Sequence, residues 1–301
     1  MDDGDVVMPM LFCFGLGYSA RHLASKLEDE GWHIAGTARS AEGVERIQDL
    51  GYMGYVFDGL KPGVGSGPSQ GAGPAARRAS HIVVSVPPDA QGDPVLRHHA
   101  EDIAQSNAEW IGYLSTIGVY GDHGGAWVDE ETPATPSSER SRRRALAEQQ
   151  WLDFGKASGK RVEIFRLAGI YGPGSSAIDG LRSGTTRSIV KVDQVFNRIH
   201  VEDIARTLIA AFSRPHLHAI YNVTDDEPAP PHDVNAYAAQ LLGLPAPVEI
   251  PYEKAELSDM GRSFYLENKR VRNDRIKNDL AVTLAFPTYR EGLAAIAGHS
   301  G

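Results

Sequence analysis

The chain of 301 residues contains one cysteine, Cys13, so no internal disulfide can form, and no Cys/His cluster has metal-ligand spacing. A reducing, cytoplasmic setting without a structural metal is expected. Basic residues are in deficit: 30 Lys and Arg stand against 39 Asp and Glu, a net charge of −9. An acidic chain is a poor partner for nucleic acid or an anionic membrane surface. Long apolar runs are also missing. The stretch Val6–Gly17 is too short to span a bilayer and is broken by Pro9. Met1–Asp5 carries three acids and no base, so neither a signal peptide nor a transmembrane helix is expected. There is no internal repeat. What remains, 42% apolar and 23% charged residues, is ordinary globular usage and can bury a sizeable core.

Apolar patterning alternates along the first half. Met8–Phe14 is a short apolar run ending in Gly15-Leu16-Gly17. Tyr18–Glu30 has Leu23, Ala24 and Leu27 at helical spacing, and Gly31 stops it. Strand patterns follow at Trp32–Ala38, Tyr52–Phe57, His81–Val86 and Trp110–Leu114, with helices at Ala41–Leu50 and Asp93–Gln105 between them. Such alternation predicts an α/β fold, a Rossmann-type doubly wound parallel sheet with helices on both faces. Lys61–Ser80 holds five Gly and three Pro and reads as a loop replacing a helix. A long helix is predicted over Ser138–Ser158, and a less regular, smaller lobe follows. The expected division is 1–173 for the dinucleotide-binding domain and 174–301 for the lobe, with segments returning to the sheet.

Gly15-Leu16-Gly17-Tyr18-Ser19-Ala20 is a G-x-G-x-x-A turn between the first strand and the first helix. Glycine serves there because the turn is tight and a side chain would block a pyrophosphate from the backbone. The helix N-terminus adds N–H donors and a positive dipole end. Arg39, 22 residues after Gly17, stands where an acid would hold a ribose 2′-hydroxyl. A guanidinium there suits a 2′-phosphate, and Ser40 can add a hydrogen bond. NADP is therefore expected, with NAD as the alternative; a merely solvated arginine is the plainer account. Ser85 and Pro87 follow the fourth strand, where carboxyl ends of parallel strands line the ligand crevice. The candidate cofactor residues are Gly15, Leu16, Gly17, Tyr18, Ser19, Arg39, Ser40, Asp58, Ser85, Pro87 and Ile170.

Further segments carry a family resemblance. Tyr113-Leu114-Ser115-Thr116-Ile117-Gly118-Val119-Tyr120-Gly121 resembles the S-S/T-x-x-V-Y-G segment of atypical, extended short-chain dehydrogenases/reductases, the NAD-dependent epimerase/dehydratase group. Arg166 to Pro173 resembles that group's R-x-x-x-x-Y-G-P, Arg198 to Ala205 its R-x-H-V-x-D-x-A, and Tyr221-Asn222-Val223 its Y-N-V strand. The matches run to Tyr289-Arg290-Glu291-Gly292-Leu293. The resemblance implies a Ser/Thr, a Tyr and a Lys acting on a small substrate, and places Thr116 at the Ser/Thr position.

The departure lies on the helix after Pro136. Glu148 matches a glutamate that lies four residues beyond the group's lysine, so counting back puts Arg144 at the Lys position and Arg140 at the Tyr position. Arginine stays protonated, so it cannot exchange a proton as Tyr does. Arg144 can hold a ribose or phosphate, and Arg140 can pair with an anionic substrate. The proton would then come from water or from Tyr120 at the expected rim, with Tyr171 and His200 as further candidates; a packed aromatic under the sheet is the plainer account of Tyr120. The candidate catalytic residues are Thr116, Tyr120, Arg140 and Arg144. The expected protein is an NAD(P)-dependent oxidoreductase or epimerase/dehydratase-like enzyme on a small polar substrate, with a non-catalytic NADP-binding sensor as the alternative. A small-molecule substrate is expected as partner, with no nucleic acid and no membrane. A homodimer is common in the resembled group.

Overall fold

The computed structural model describes residues 8–63, 71–215 and 217–298. In chain order the first elements are β1 (Met10–Phe14), α1 (Tyr18–Asp29), β2 (His33–Ala38), α2 (Ala41–Gln48), β3 (Met53–Val56), α3 (Ala72–Arg78), β4 (His81–Val84), α4 (Pro94–Ala104) and β5 (Trp110–Thr116). Next come β6 (Trp127–Val128), α5 (Glu139–Ser158), β7 (Val162–Leu167), β8 (Gly169–Tyr171), α6 (Ala177–Arg182), β9 (Ser188–Val190), β10 (Arg198–His200), α7 (Val201–Phe212) and β11 (Ile220–Val223). The tail holds α8 (Pro231–Leu241), β12 (Glu249–Pro251), α9 (Asp259–Tyr265), β13 (Arg270–Val271), α10 (Asp274–Asn278) and α11 (Tyr289–Gly298). Two compact units interleave along the sequence. One takes the residues up to Ser115 with Arg143–Phe165 and Phe212–Ala219; the other takes Thr116–Arg142, Arg166–Ala211 and the chain from Ile220.

The central sheet is parallel and has seven strands in the order β11-β7-β5-β4-β1-β2-β3. All five residues of β1 are buried. A strand covered on both faces needs a continuous apolar run rather than alternation, and Met-Leu-Phe-Cys-Phe supplies it. Cys13 lies opposite Gly36 of β2 on one side and Val83 of β4 on the other. The chain builds outward from β1 to β2 and β3, then returns to β4 on the far side of β1. That reversal leaves a crevice at the carboxyl ends of β1 and β4, where open α/β sheets take their ligands.

Helix α1 buries Ser19, Ala20, Leu23, Ala24 and Leu27 on one face. Each of its two buried leucines contributes roughly 1.5–3 kcal/mol of transfer free energy. Helix α4 starts where the Asp93 carboxylate accepts the N–H groups of Val95 and Leu96 at 2.8 and 3.1 Å, with Pro94 in the first turn. The loop expected over Lys61–Ser80 needs correction at its end: Ala72–Arg78 is helical, while residues 64–70 lie outside the described residues. Alanine is the best helix former, and a proline in the first turn, here Pro74, has no intrahelical N–H to lose. Ala72, Ala75 and Ala76 are buried as a result.

The second unit contains three short parallel pairs, β8 with β10, β9 with β12, and β6 with β13. Its core gathers Tyr171, Ile178, Val234, Ala238, Tyr289, Leu293 and Ile296. Among the described residues no helix is long and apolar enough to cross a membrane, and no group of His, Cys, Asp and Glu could hold a metal ion.

Candidate functional site

In the first unit the glycine turn is clamped by the two strands flanking β1. The Gly15 N–H donates to Thr37 Oγ1 at 2.8 Å and the Leu16 N–H to the Thr37 carbonyl at 2.9 Å. From the other side, Ser85 Oγ donates to the Gly15 carbonyl at 2.6 Å, and the Ser85 N–H to the Phe14 carbonyl at 2.9 Å. Gly15 has φ +88°, a conformation L side chains rarely adopt, and a Cβ there would sit 2.7 Å from Ser85 Oγ. Gly17 is the contrasting case. A Cβ on it would meet nothing within 4 Å, and no side chain caps the helix it opens. The space in front of Gly17 is thus open, and the first N–H groups of a twelve-residue helix begin beside it. That cradle fits the pyrophosphate of a dinucleotide. Ser19 is buried beneath the turn and Tyr18 is half-buried.

Arg39 and Ser40 follow the carboxyl end of β2. Arg39 is exposed, with no hydrogen bond or ion pair to any described residue. Ser40 Oγ accepts the Gly43 N–H at 3.2 Å, capping α2 and leaving its own proton to donate. Asp58 is exposed after β3, and its Oδ1 accepts the Leu60 N–H at 2.9 Å. Pro87 is exposed three residues beyond β4.

The inner half of α5 in the same unit packs on β5. Tyr113 and Ser115 lie on one face of the strand, as alternation requires. The Ser115 hydroxyl donates to buried Glu148. Arg144 Nη1 donates to Tyr113 Oη at 2.9 Å and to the Leu114 carbonyl at 3.1 Å. Tyr113 is fully buried and stacks on Trp151 with ring centroids 5.9 Å apart. Burial pushes its phenol up, so it remains protonated and offers Arg144 a neutral acceptor. Neither Tyr113 nor Thr37 stood among the candidates from sequence. The available signal for Tyr113 was period-two spacing from Ser115.

In the second unit Thr116 Oγ1 accepts the Gly118 N–H at 3.1 Å, which leaves the Thr116 proton free to donate to a substrate oxygen. Ser141, also missed from sequence, is buried beside the same turn: a Cβ on Gly118 would lie 3.1 Å from Ser141 Oγ and 3.4 Å from Thr116 Oγ1. Ser138 Oγ donates to Ser141 Oγ at 2.9 Å. Tyr120 is fully buried, with its hydroxyl donating to Asn222 Oδ1 at 2.8 Å and the Arg166 guanidinium 4.9 Å from its ring centroid. Burial raises its pKa, so its proton is held tightly. Arg140 is exposed and sits over the Phe264 ring at 5.4 Å. Ile170 is exposed on β8.

Comparison with known proteins places this geometry. The profile of the NAD-dependent epimerase/dehydratase family matches residues 99–224. A conserved protein of unknown function from Silicibacter pomeroyi DSS is 47% identical, with a TM-score of 0.84 over 97% of this chain and 99% of that one. The segment matched by the family profile runs from within α4 to just past the end of β11, 126 of the 301 residues. Protein YeeZ of Escherichia coli K12 is 27% identical over 271 residues, covering 86% of this chain and 92% of YeeZ. UDP-glucuronic acid 4-epimerase of Bacillus cereus, solved in complex with NAD, shares the fold at 14% identity, with a TM-score of 0.73 over 97% of this chain and 96% of that one. dTDP-glucose 4,6-dehydratase of Bacillus anthracis Ames, solved in complex with NAD, shares the fold at 17% identity, with a TM-score of 0.71 over 97% of this chain and 96% of that one.

Proposed function

We propose that the protein is an NADP-dependent oxidoreductase or epimerase/dehydratase-like enzyme acting on a small polar substrate without the Tyr/Lys pair of the family it resembles. The observation that carries the dinucleotide part is the open cradle before Gly17, clamped through Gly15 by Thr37 and Ser85. Gly15, Leu16, Gly17, Tyr18 and Ser19 would hold the pyrophosphate, and Ser85 and Pro87 would line the crevice beside it. Arg39 favours a 2′-phosphate, because a charged fork replaces the acid that would accept a ribose hydroxyl. The bound group supplies hydride transfer.

The chain's own chemistry differs from the usual proton relay. Thr116 keeps a hydroxyl proton for the substrate oxygen, and Arg144 supplies a fixed positive charge in the place of lysine. Such preorganised donors stabilise negative charge developing on oxygen. Arg140, exposed over Phe264, suits an anionic substrate group. A second reading, an NADP-binding sensor without turnover, is favoured by one observation: the proton of Tyr120 is directed at Asn222. Calorimetric titration with NADPH and NADH tests the first part, and oxidation of NADPH against a panel of polar carbonyl compounds tests the second. Equal affinity for both cofactors would overturn the NADP assignment. Tight NADPH binding with no oxidation by any carbonyl compound would support the sensor.

A further inference from the structure

Arginine at the lysine position is more than a retained charge, because its guanidinium divides into two parts. The Nη1 hydrogens are spent on the protein, one on Tyr113 Oη and one on the Leu114 carbonyl. The Nε and Nη2 groups make no hydrogen bond to any described residue, and the side chain is half-buried rather than sealed. What is left is a planar edge with parallel N–H donors, the geometry that grips two adjacent oxygens at once. A lysine ammonium has no such edge; it is a point charge on a flexible stem.

We propose that Tyr113 is a positioning residue: its phenol oxygen, with the Leu114 carbonyl, locks Nη1 of Arg144 so that the Nε/Nη2 edge is presented to the ribose diol on the nicotinamide side of the dinucleotide. The inference rests on the proposed dinucleotide function and assigns a role to a residue outside the family's catalytic set. Tyr113 can do this because it cannot move. It is fully buried, stacked on Trp151, and Trp151 is held at its edge by Phe154 with ring centroids 5.6 Å apart. The Leu114 carbonyl belongs to the backbone of a central strand and is equally fixed. Two rigid acceptors on one nitrogen determine the plane of the guanidinium; one acceptor would leave it free to swing. A guanidinium held this way pays little ordering entropy when a ligand arrives.

The test uses the full chain and two probes that differ in reach. NADPH spans the whole site, whereas adenosine 2′,5′-bisphosphate lacks the nicotinamide half and reports only the adenosine side. Tyr113→Phe keeps the stack on Trp151 and removes only the hydroxyl. It is expected to weaken NADPH by about tenfold, as loss of a hydrogen bond to a charged group does. Binding of adenosine 2′,5′-bisphosphate is expected to stay unchanged. Arg144→Ala is expected to weaken NADPH at least as much, and Tyr113→Phe added to it should weaken NADPH no further. Wild-type NADPH affinity in Tyr113→Phe would overturn the proposal. So would an equal loss of both probes, which marks a packing role, or additive losses in the double variant. If the unaltered protein binds neither probe, the dinucleotide function itself fails, and the role of Tyr113 falls with it.

Discussion

Replacing Arg39 with alanine removes a charge without disturbing the fold. Arg39 is exposed at the end of β2 and makes no hydrogen bond or ion pair with a described residue, so nothing is orphaned by its loss. Thermal stability should therefore stay within about 0.5 kcal/mol of wild type, the usual range for such surface sites. The binding effect is different in kind. A hydrogen bond between charged partners contributes about 1.5–3 kcal/mol, and exposure with screening over a Debye length of about 10 Å in 0.1 M salt places Arg39 near the lower end. The expected loss for NADPH is thus roughly tenfold, at about 1.4 kcal/mol per decade. NADH carries no 2′-phosphate and should bind Arg39→Ala as it binds wild type. Titration calorimetry with both cofactors at low and high salt separates these cases, because only the NADPH difference should shrink as salt rises. Arg39→Asp should go further, accepting the ribose hydroxyl and repelling the phosphate, so that preference turns to NADH. Unchanged selectivity in both variants would refute the assignment of Arg39 to the 2′-phosphate.

The two glycines of the turn should respond in opposite ways. Gly17→Val should melt at nearly the wild-type temperature yet bind no cofactor, since its side chain enters only the open cradle; normal binding would show the phosphate turn to be misplaced. Gly15→Ala should lose about 1–3 kcal/mol of stability, measured by urea unfolding, because it is strained at φ +88° and crowds Ser85. Once a substrate is found, Thr116→Val and Arg144→Ala should each cut turnover on the order of a hundredfold; full rates in both would exclude this site. In the second unit Asp225 is buried with one carboxylate oxygen unpartnered, and burial pushes its pKa from 3.8 up to about 8. The folded state therefore holds this proton more tightly than the unfolded chain, and its contribution to stability is complete below pH 3.8 and lost as pH rises through about 8. Asp225→Asn should flatten the fall in stability across that window, by at most about 1.4 kcal/mol per pH unit; an unchanged slope in urea unfolding would contradict it.

Sequence patterning was most informative where each element is long and covered on both faces. β1 and α4 follow from an apolar run and an Asp-Pro start. It was least informative in the second unit. Strands such as β6 and β13, two residues each, carry no measurable period, and they exist because neighbouring segments bring unpaired backbone groups together. Helix α3 was hidden by glycine and proline, which punctuate loops in most contexts but are tolerated in a first turn.

By itself the sequence determined the alternating α/β order, the glycine turn with its following helix, and the run of arginines in the first turns of α5. These depend on local chemistry: residue size at a tight turn and the periodicity of apolar residues. Tertiary structure alone decided which groups those residues meet. It directed the Tyr120 proton to Asn222, 102 residues away, brought Ser141 to the Thr116 turn, and tied Arg144 to Tyr113 across the β5–α5 packing. A side chain's partners come from elements far apart in the chain, and no local pattern records which acceptor a buried donor will find.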